Sequence, residues 1–171
     1  MKNIKEYNLD ELKQELISVG EKGYRAEQIF NWLYVEKVKS FDDMTNLSLE
    51  LREKLKQNYT MCNFEILSKQ ESSDGTKKYL FDVLDGNAIE TVLMEYHHGK
   101  TICVSSQIGC KMGCKFCAST GIAFVRGLTA GEIVEQILAV EQDIGEHISN
   151  IVFMGIGEPF DNYDNVMHAI R

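Results

Sequence analysis

From residue 99 to residue 171 the chain runs strand, loop, helix, strand, loop, helix, and this order limits its fold more than any other feature. TICVSS leads directly into QIGCKMGCKFC, Thr129–Asp143 reads as a helix, NIVFMG reads as a buried strand, and GIGEPFDN precedes the helical start NYDNVMHAIR. Thr129 and Glu132 match a capping box, with Ile133, Val134, Ile137 and Leu138 spaced to face inward. Strands joined through helices run parallel with right-handed crossovers. In such units the loops that leave the C-terminal ends of strands form the ligand face. Both unusual loops of this chain follow strands, so they are expected to open toward the same end.

The first of those loops carries Cys110-x3-Cys114-x2-Cys117. Three thiolates can hold three irons of a cubane [4Fe–4S] cluster, which leaves the fourth iron without a protein ligand. Cys103 lies seven residues upstream, so a four-cysteine structural zinc site is the alternative. Zinc sites usually join two short hooks from separate segments, whereas these cysteines form one compact group. The second loop carries Gly155-x-Gly157-Glu158-Pro159. Its glycines allow a backbone to approach a ligand closely, and Glu158 or the loop carbonyls suit a ligand ammonium. By itself this loop also reads as an ordinary strand-ending turn.

Upstream the periodicity is different. Residues 1–58 read as a helical module: Asn8 and Glu11 form a capping box before Leu9, Leu12, Leu16 and Val19, and Gly20 and Gly23 end that helix. Ile29, Trp32, Leu33 and Val35 mark a second helix, and Leu47, Leu51 and Leu55 a third. Trp32 at this spacing reads as core rather than as a base-stacking platform. Residues 59–98 alternate with a period of two, in FEILSK, KKYLFDVL and AIETVLMEY. Asp74-Gly75 and Asp85-Gly86 between them predict tight hairpins whose central residues take positive φ, hence a small antiparallel sheet. Glu90 opens ETVLME and by pattern alone is a solvent-facing strand residue. His97 and His98 fall in the following turn and read as solvated. Alternation places Cys103 on the face of Ser105; by pattern alone Cys103 is a small buried hydrophobe. Cys62 reads as a plain packed residue. The expected class is α/β with an α+β N-terminal part: a helical accessory module (1–58), an antiparallel linker sheet (59–98) and the first β/α units of an incomplete barrel (99–171).

Composition excludes some functions. With 44% hydrophobic and 26% charged residues the chain reads as globular, and no apolar run approaches the ~20 residues of a membrane span. The start is no secretory signal, and five cysteines, mostly clustered, argue for a reducing compartment; a cytoplasmic location is expected. Net charge is −8, and residues 121–171 carry two basic and eight acidic side chains. That is no nucleic-acid footprint. Lys22, Arg25, Lys37 and Lys39 offer the N-terminal module a basic face, which reads first as a solvated helix surface.

The longer strings carry a resemblance. The cysteine triplet resembles that of the radical S-adenosylmethionine superfamily, and GIGEP resembles its amino-group-binding loop. ETVLMEYHHGKTICVSSQIGCKMGCKFCAST followed by MGIGEPFDN resembles the RlmN family of RNA methyltransferases, over essentially the whole chain. This resemblance implies a radical S-adenosylmethionine barrel and methylation of adenine carbon 2 in 23S rRNA and tRNA. The implied cofactors are a [4Fe–4S] cluster on Cys110, Cys114 and Cys117 and S-adenosylmethionine at Gly155, Gly157, Glu158 and Pro159. Cys103 matches the cysteine that resolves a covalent RNA–protein adduct, and Glu90 an acidic residue near the substrate adenine. Phe116, between two ligands, is expected to shield the cluster or to pack. A flavodoxin or ferredoxin is the implied electron donor. The family's methyl-accepting cysteine lies downstream and matches none of the five cysteines here, so the chain is expected to be an N-terminal portion, inactive alone, with open strand edges that invite self-association. The sister carbon-8 methyltransferases, a glycyl-radical activase and a zinc module remain the alternatives.

Overall fold

The computed structural model describes residues 1–97 and 99–171. They form two compact units, residues 1–63 and 64–171. Of the histidine pair, His97 occupies the expected turn and His98 lies outside the described residues.

The first unit contains β1 (Lys2–Asn3), α1 (Leu9–Ser18), α2 (Tyr24–Tyr34), α3 (Leu49–Asn58) and β2 (Tyr59–Thr60), the two short strands pairing in parallel. The α1 capping box is complete: Asn8 Oδ1 accepts from Glu11 N–H at 2.9 Å, and Glu11 Oε2 from Asn8 N–H at 3.0 Å. Leu12, Leu16, Ile29, Leu33, Leu51 and Leu55 are all but fully buried in one apolar core. Leu9, Val19 and Val35 are exposed instead, because they stand at helix ends where the stripe has turned away from the core. Trp32 packs on the edge of this core and donates its indole N–H to Asn46 Oδ1 at 2.6 Å.

The second unit is built on a five-stranded sheet ordered β3 (Glu65–Glu71), β4 (Lys77–Asp82), β5 (Ala88–Tyr96), β6 (Gly99–Cys103), β9 (Asn150–Val152). The first four strands are antiparallel neighbours, and β9 joins β6 in parallel after a crossover through α4 (Ala130–Ile144). The antiparallel and parallel strands thus form one continuous sheet. The hairpin turns are longer than a two-residue turn: Glu71 and Lys77 are the last pair before the first turn, and only Gly75 of Asp74-Gly75 has positive φ, at 84°. Asp74 and Asp85 act through their carboxylates instead, each accepting from the backbone N–H two residues on.

Tyr79, Phe81, Ile89, Thr91, Leu93 and Ile102 alternate onto one sheet face and are buried. Hydrogen bonds tie this face to α4, among them Thr91 Oγ1 to Gln136 Oε1 at 2.8 Å and Tyr79 hydroxyl to Asp143 at 2.7 Å. The α4 capping box at Thr129 and Glu132 is present. Its buried side is more polar than its apolar spacing implied, since Glu132, Glu135, Gln136 and Glu141 are all buried there. Val134 and Ile137 are only half-buried. The NIVFMG run is not a buried strand: Ile151 is 48% and Met154 81% exposed, because β9 is the outer strand of the sheet. Two shorter strands, β7 (Gln107–Ile108) and β8 (Arg126–Gly127), pair antiparallel, and α5 (Tyr163–Ile170) ends the described fold. Among the described residues, no helix is long and apolar enough to cross a membrane.

Candidate functional site

Pairing of β7 with β8 closes the neck of the cysteine loop. Val125 N–H donates to Ile108 O at 2.8 Å and Cys110 N–H to Ile122 O at 3.4 Å, so residues 109–125 leave and return at one point. Gly109 is required at this neck: its φ is 71°, and a Cβ there would lie 1.9 Å from Ala123 O. Beyond the neck the loop is held by its own turns. Cys117 N–H donates to Cys114 O at 3.1 Å, and Thr120 Oγ1–H donates to the same carbonyl at 2.6 Å. Cys110 is half-buried, whereas Cys114 and Cys117 are exposed. Among the described residues no three His, Cys, Asp or Glu side chains stand together as a metal site. The thiols share one loop without meeting at one point. Phe116, 94% exposed, does not pack against the protein.

The GIGEP loop lies against the start of this neck. Gly155 N–H donates to Val104 O, Ile156 N–H to Ser105 Oγ, and the N–H groups of Ser106 and Gln107 both donate to Ile156 O. A Cβ at Gly155 would come 2.7 Å from Val104 O, and one at Gly157 would come 2.6 Å from Gln107 Cβ. The glycines are therefore required by the approach of protein to protein. Glu158 also has a structural use: its Oε1 accepts from Phe160 N–H at 3.0 Å, capping the short 3-10 turn Pro159–Asn162.

Cys103 and Glu90 stand on the sheet face opposite α4. Cys103 ends β6 opposite Val92, and Glu90 lies two residues before Val92 on β5. They share that face, with Cys103 lining an open, mainly apolar cleft of about 620 Å³ together with Val92, Met94, Thr101, Val152 and Met154. Burial raises the Cys103 thiol above its ordinary pKa, opposed by a hydrogen bond with the Met154 backbone. Glu90 pairs with Lys78 Nζ at 3.0 Å, and both are less than half exposed on that side. Ser105 does not continue the alternation from Cys103, because β6 stops at Cys103. Ser105 is fully buried and donates its hydroxyl to Glu90 O at 2.6 Å.

Residues 2–61 match the model of the ribosomal RNA large subunit methyltransferase N-terminal domain. The whole chain is 52% identical over 172 residues to a probable dual-specificity RNA methyltransferase RlmN of Clostridium novyi (strain NT), covering 100% of this chain and 50% of that protein. It is 50% identical over 172 residues to the similarly named protein of Bacillus velezensis, covering 99% of this chain and 47% of the relative. The crystal structure of a radical SAM methyltransferase from Sphaerobacter thermophilus superposes with a TM-score of 0.91 at 40% identity, covering 100% of this chain and 51% of that one. Residues 2–61 thus resemble the N-terminal domain of RlmN proteins, and the chain as a whole is similar to part of proteins that carry that name. It spans about half the length of the curated relatives it matches.

Within this fold, the site residues read from sequence fall into two groups. Cys110, Cys114, Cys117, Gly155, Gly157, Glu158 and Pro159 sit on two loops that touch at their bases. Cys103 and Glu90 sit beside them on the open sheet face. Sequence spacing missed the polar residues that hold this arrangement. Gln136, fully buried, accepts from Ser105 N–H and donates to Ser105 O. Asn162 donates to Ser106 O and Leu128 O. Arg126 forks between Asp85 and Glu132, with the α4 cap formed by the same Glu132. The S-S-Q run at residues 105–107 was the available signal, since three consecutive polar residues inside a buried segment must find partners.

Proposed function

We propose that this chain is the part of a radical S-adenosylmethionine RNA methyltransferase that holds the cluster and begins the cofactor pocket, the whole enzyme acting on carbon 2 of adenine in 23S rRNA and tRNA. One observation carries the reading: two loops, one with three cysteines and one with the GIGEP sequence, leave the same end of the parallel pair β6 and β9 and touch at their bases. In this reading β6 and β9 are the first two strands of a β/α barrel, residues 1–58 an accessory module, and 59–98 the strands that extend the barrel sheet. The RNA-methyltransferase names of the relatives and the radical SAM methyltransferase with the same fold support it.

The donor set fits the group. Three thiols on one loop are soft ligands suited to iron–sulfur clusters, and two of them are exposed and free of disulfides. Cys110, Cys114 and Cys117 would hold a [4Fe–4S] cluster, which supplies reductive cleavage of S-adenosylmethionine when loaded. Carbonyls of the GIGEP loop and Glu158 would accept from the methionine ammonium. Burial beside the apolar cleft raises the Cys103 pKa and so favours the neutral thiol. Its position at the open face suits attack on a thioether, and Glu90 on the same face suits proton handling at the base. RNA contact by Lys22, Arg25, Lys37 and Lys39, reduction by a flavodoxin or ferredoxin, and self-association through the β9 edge belong to the same reading. None of the five cysteines matches the methyl-accepting position, so no methylation is expected from this chain alone.

The test is anaerobic reconstitution with iron and sulfide, followed by electron paramagnetic resonance with and without S-adenosylmethionine. About four irons per chain and a signal that changes with S-adenosylmethionine are expected from the cubane with an open iron. A colourless protein holding one zinc sinks the proposal in favour of a structural metal module.

A further inference from the structure

Gln107 is 1% exposed and stands on β7, immediately before the cysteine loop. Its carboxamide reaches the other loop with both ends. Oε1 accepts from Glu158 N–H at 3.0 Å, and Nε2 donates to Asp161 Oδ2 at 2.8 Å. The same Asp161 oxygen accepts from Lys111 Nζ at 3.1 Å, and Lys111 directly follows Cys110. Gly157 leaves room for this contact, since a Cβ there would meet Gln107 Cβ, Cγ and N within 2.8 Å. A chain of contacts therefore runs from the cysteine loop through Asp161 and Gln107 to the backbone of Glu158.

We infer that Gln107 and Asp161 are positioning residues that lock the cysteine loop and the GIGEP loop into one register, so that the thiols and the ammonium-binding loop face a shared ligand at a fixed spacing. The inference rests on reading those two loops as the cofactor loops. An amide suits the position for a chemical reason. The Glu158 N–H needs an acceptor and the Asp161 carboxylate needs a donor, and a carboxamide offers one of each. Being buried, the amide cannot exchange these partners for water, so losing one leaves a polar group unsatisfied. Lys111 adds the exposed end of the same link, where solvent weakens it.

Gln107→Glu tests this with almost no change of volume. It retains the acceptor for Glu158 but sets a second carboxylate against Asp161 where a donor stood. In the 171-residue chain, amide hydrogen exchange is expected to quicken by about tenfold or more in both residues 109–125 and residues 155–162. Exchange in β4, β5 and α4 is expected to stay as in the wild type, which shows that the sheet unit of the variant is folded. The double variant Gln107→Glu with Asp161→Asn restores a donor opposite the new carboxylate, and slow exchange is expected to return in both loops. A second readout follows reconstitution: Gln107→Glu retains its iron but loses the S-adenosylmethionine-dependent change in the paramagnetic spectrum. Loosening of one loop alone, of neither, or without recovery in the double variant overturns the inference. A wild-type chain that takes up no cluster overturns the cofactor reading instead, and leaves the exchange result to decide the link between the loops.

Discussion

The helical unit and the sheet unit hold themselves together by different means. In the helical unit three helices turn leucine and isoleucine stripes into one apolar core, and its polar groups lie mostly at caps and on the surface. In the sheet unit one face is buried, but the helix above it is pinned by Gln136, Glu135, Glu132 and Asp143, while the other face stays open around Cys103. Non-directional packing is enough to make a stable module. Holding two loops at a defined spacing needs bonds with direction, and these are concentrated where the candidate chemistry lies.

The comparison breaks first at the apolar cores. Leu12→Ala and Phe81→Ala both remove fully buried side chains and are expected to cost about 2–5 kcal/mol, read as a shift in urea midpoint. Val92→Ala, on the open face, is expected to cost less, about 1 kcal/mol, since Val92 is only half-buried. A loss at Val92 as large as that at Phe81 would mean that the open face is a closed core in solution.

Gln136→Leu is the next largest. It fits the volume of the site but leaves Thr91 Oγ1, Ser105 N–H and Ser105 O without their present partner. About 2–3 kcal/mol is expected from these buried groups, well above the usual effect of a size-matched swap in the apolar helical core. A cost below about 1 kcal/mol would show that water or a neighbour replaces the amide.

Cysteine chemistry separates the open face from the exposed loop. Cys103 is half-buried, and burial holds its thiol above the ordinary range, while Cys114 and Cys117 are exposed. Alkylation at neutral pH is expected to be about tenfold or more slower at Cys103, by mass spectrometry of partly labelled chain. Equal rates would mean that the cleft is wet and its thiol unshielded.

How much of this was legible in the sequence follows the same divide. Helical spacing located α1, α2 and α3, and Asn8 with Glu11 marked the first cap, because local rules decide helix starts. The alternating runs and the Asp-Gly pairs located β3, β4 and β5. Burial of β9 was misread because periodicity reports the pattern of a strand but not its place in the sheet; β9 is apolar and yet an edge. The cysteine triplet and GIGEP announced themselves by spacing. Gln107, Gln136 and Asp161 did not, since a single amide or carboxylate acquires its meaning only from partners 31 to 54 residues away, such as the pairs formed with Asp161 and Ser105.

Acid gives a smaller test confined to the sheet unit. Burial opposes ionisation of Asp143, but hydrogen bonds from Lys69 and Tyr79 outweigh it and hold the carboxyl below the usual aspartate range. A lowered pKa stabilises the fold above the unfolded-state value near ~3.9 and loses that contribution as pH falls through the folded-state value. The pair is partly exposed, so about 1 kcal/mol or less is involved. Asp143→Asn should narrow the stability difference between neutral pH and pH 3 by about that amount; an unchanged difference would assign the acid loss to other carboxylates.

The two capping boxes offer the finest comparison, because the same motif sits in both units with different support. At α1, Asn8 and Glu11 exchange bonds of 2.9 and 3.0 Å on an exposed surface. At α4, Thr129 Oγ1 accepts from Glu132 N–H at a longer 3.3 Å, and Glu132 is also gripped by both terminal nitrogens of Arg126. Asn8→Ala removes the acceptor that fixes the first turn and is expected to cost about 1 kcal/mol. Thr129→Ala removes only the weaker bond, since Glu132 still accepts from residue 129 N–H at 2.8 Å and stays held by Arg126; about half that cost is expected. Denaturation of Thr129→Ala and Arg126→Met, each alone and then combined, decides the matter. A combined loss that exceeds the sum of the single ones would show that the arginine fork, rather than the threonine, fixes where α4 begins. A strictly additive loss would return both helices to the same local rule.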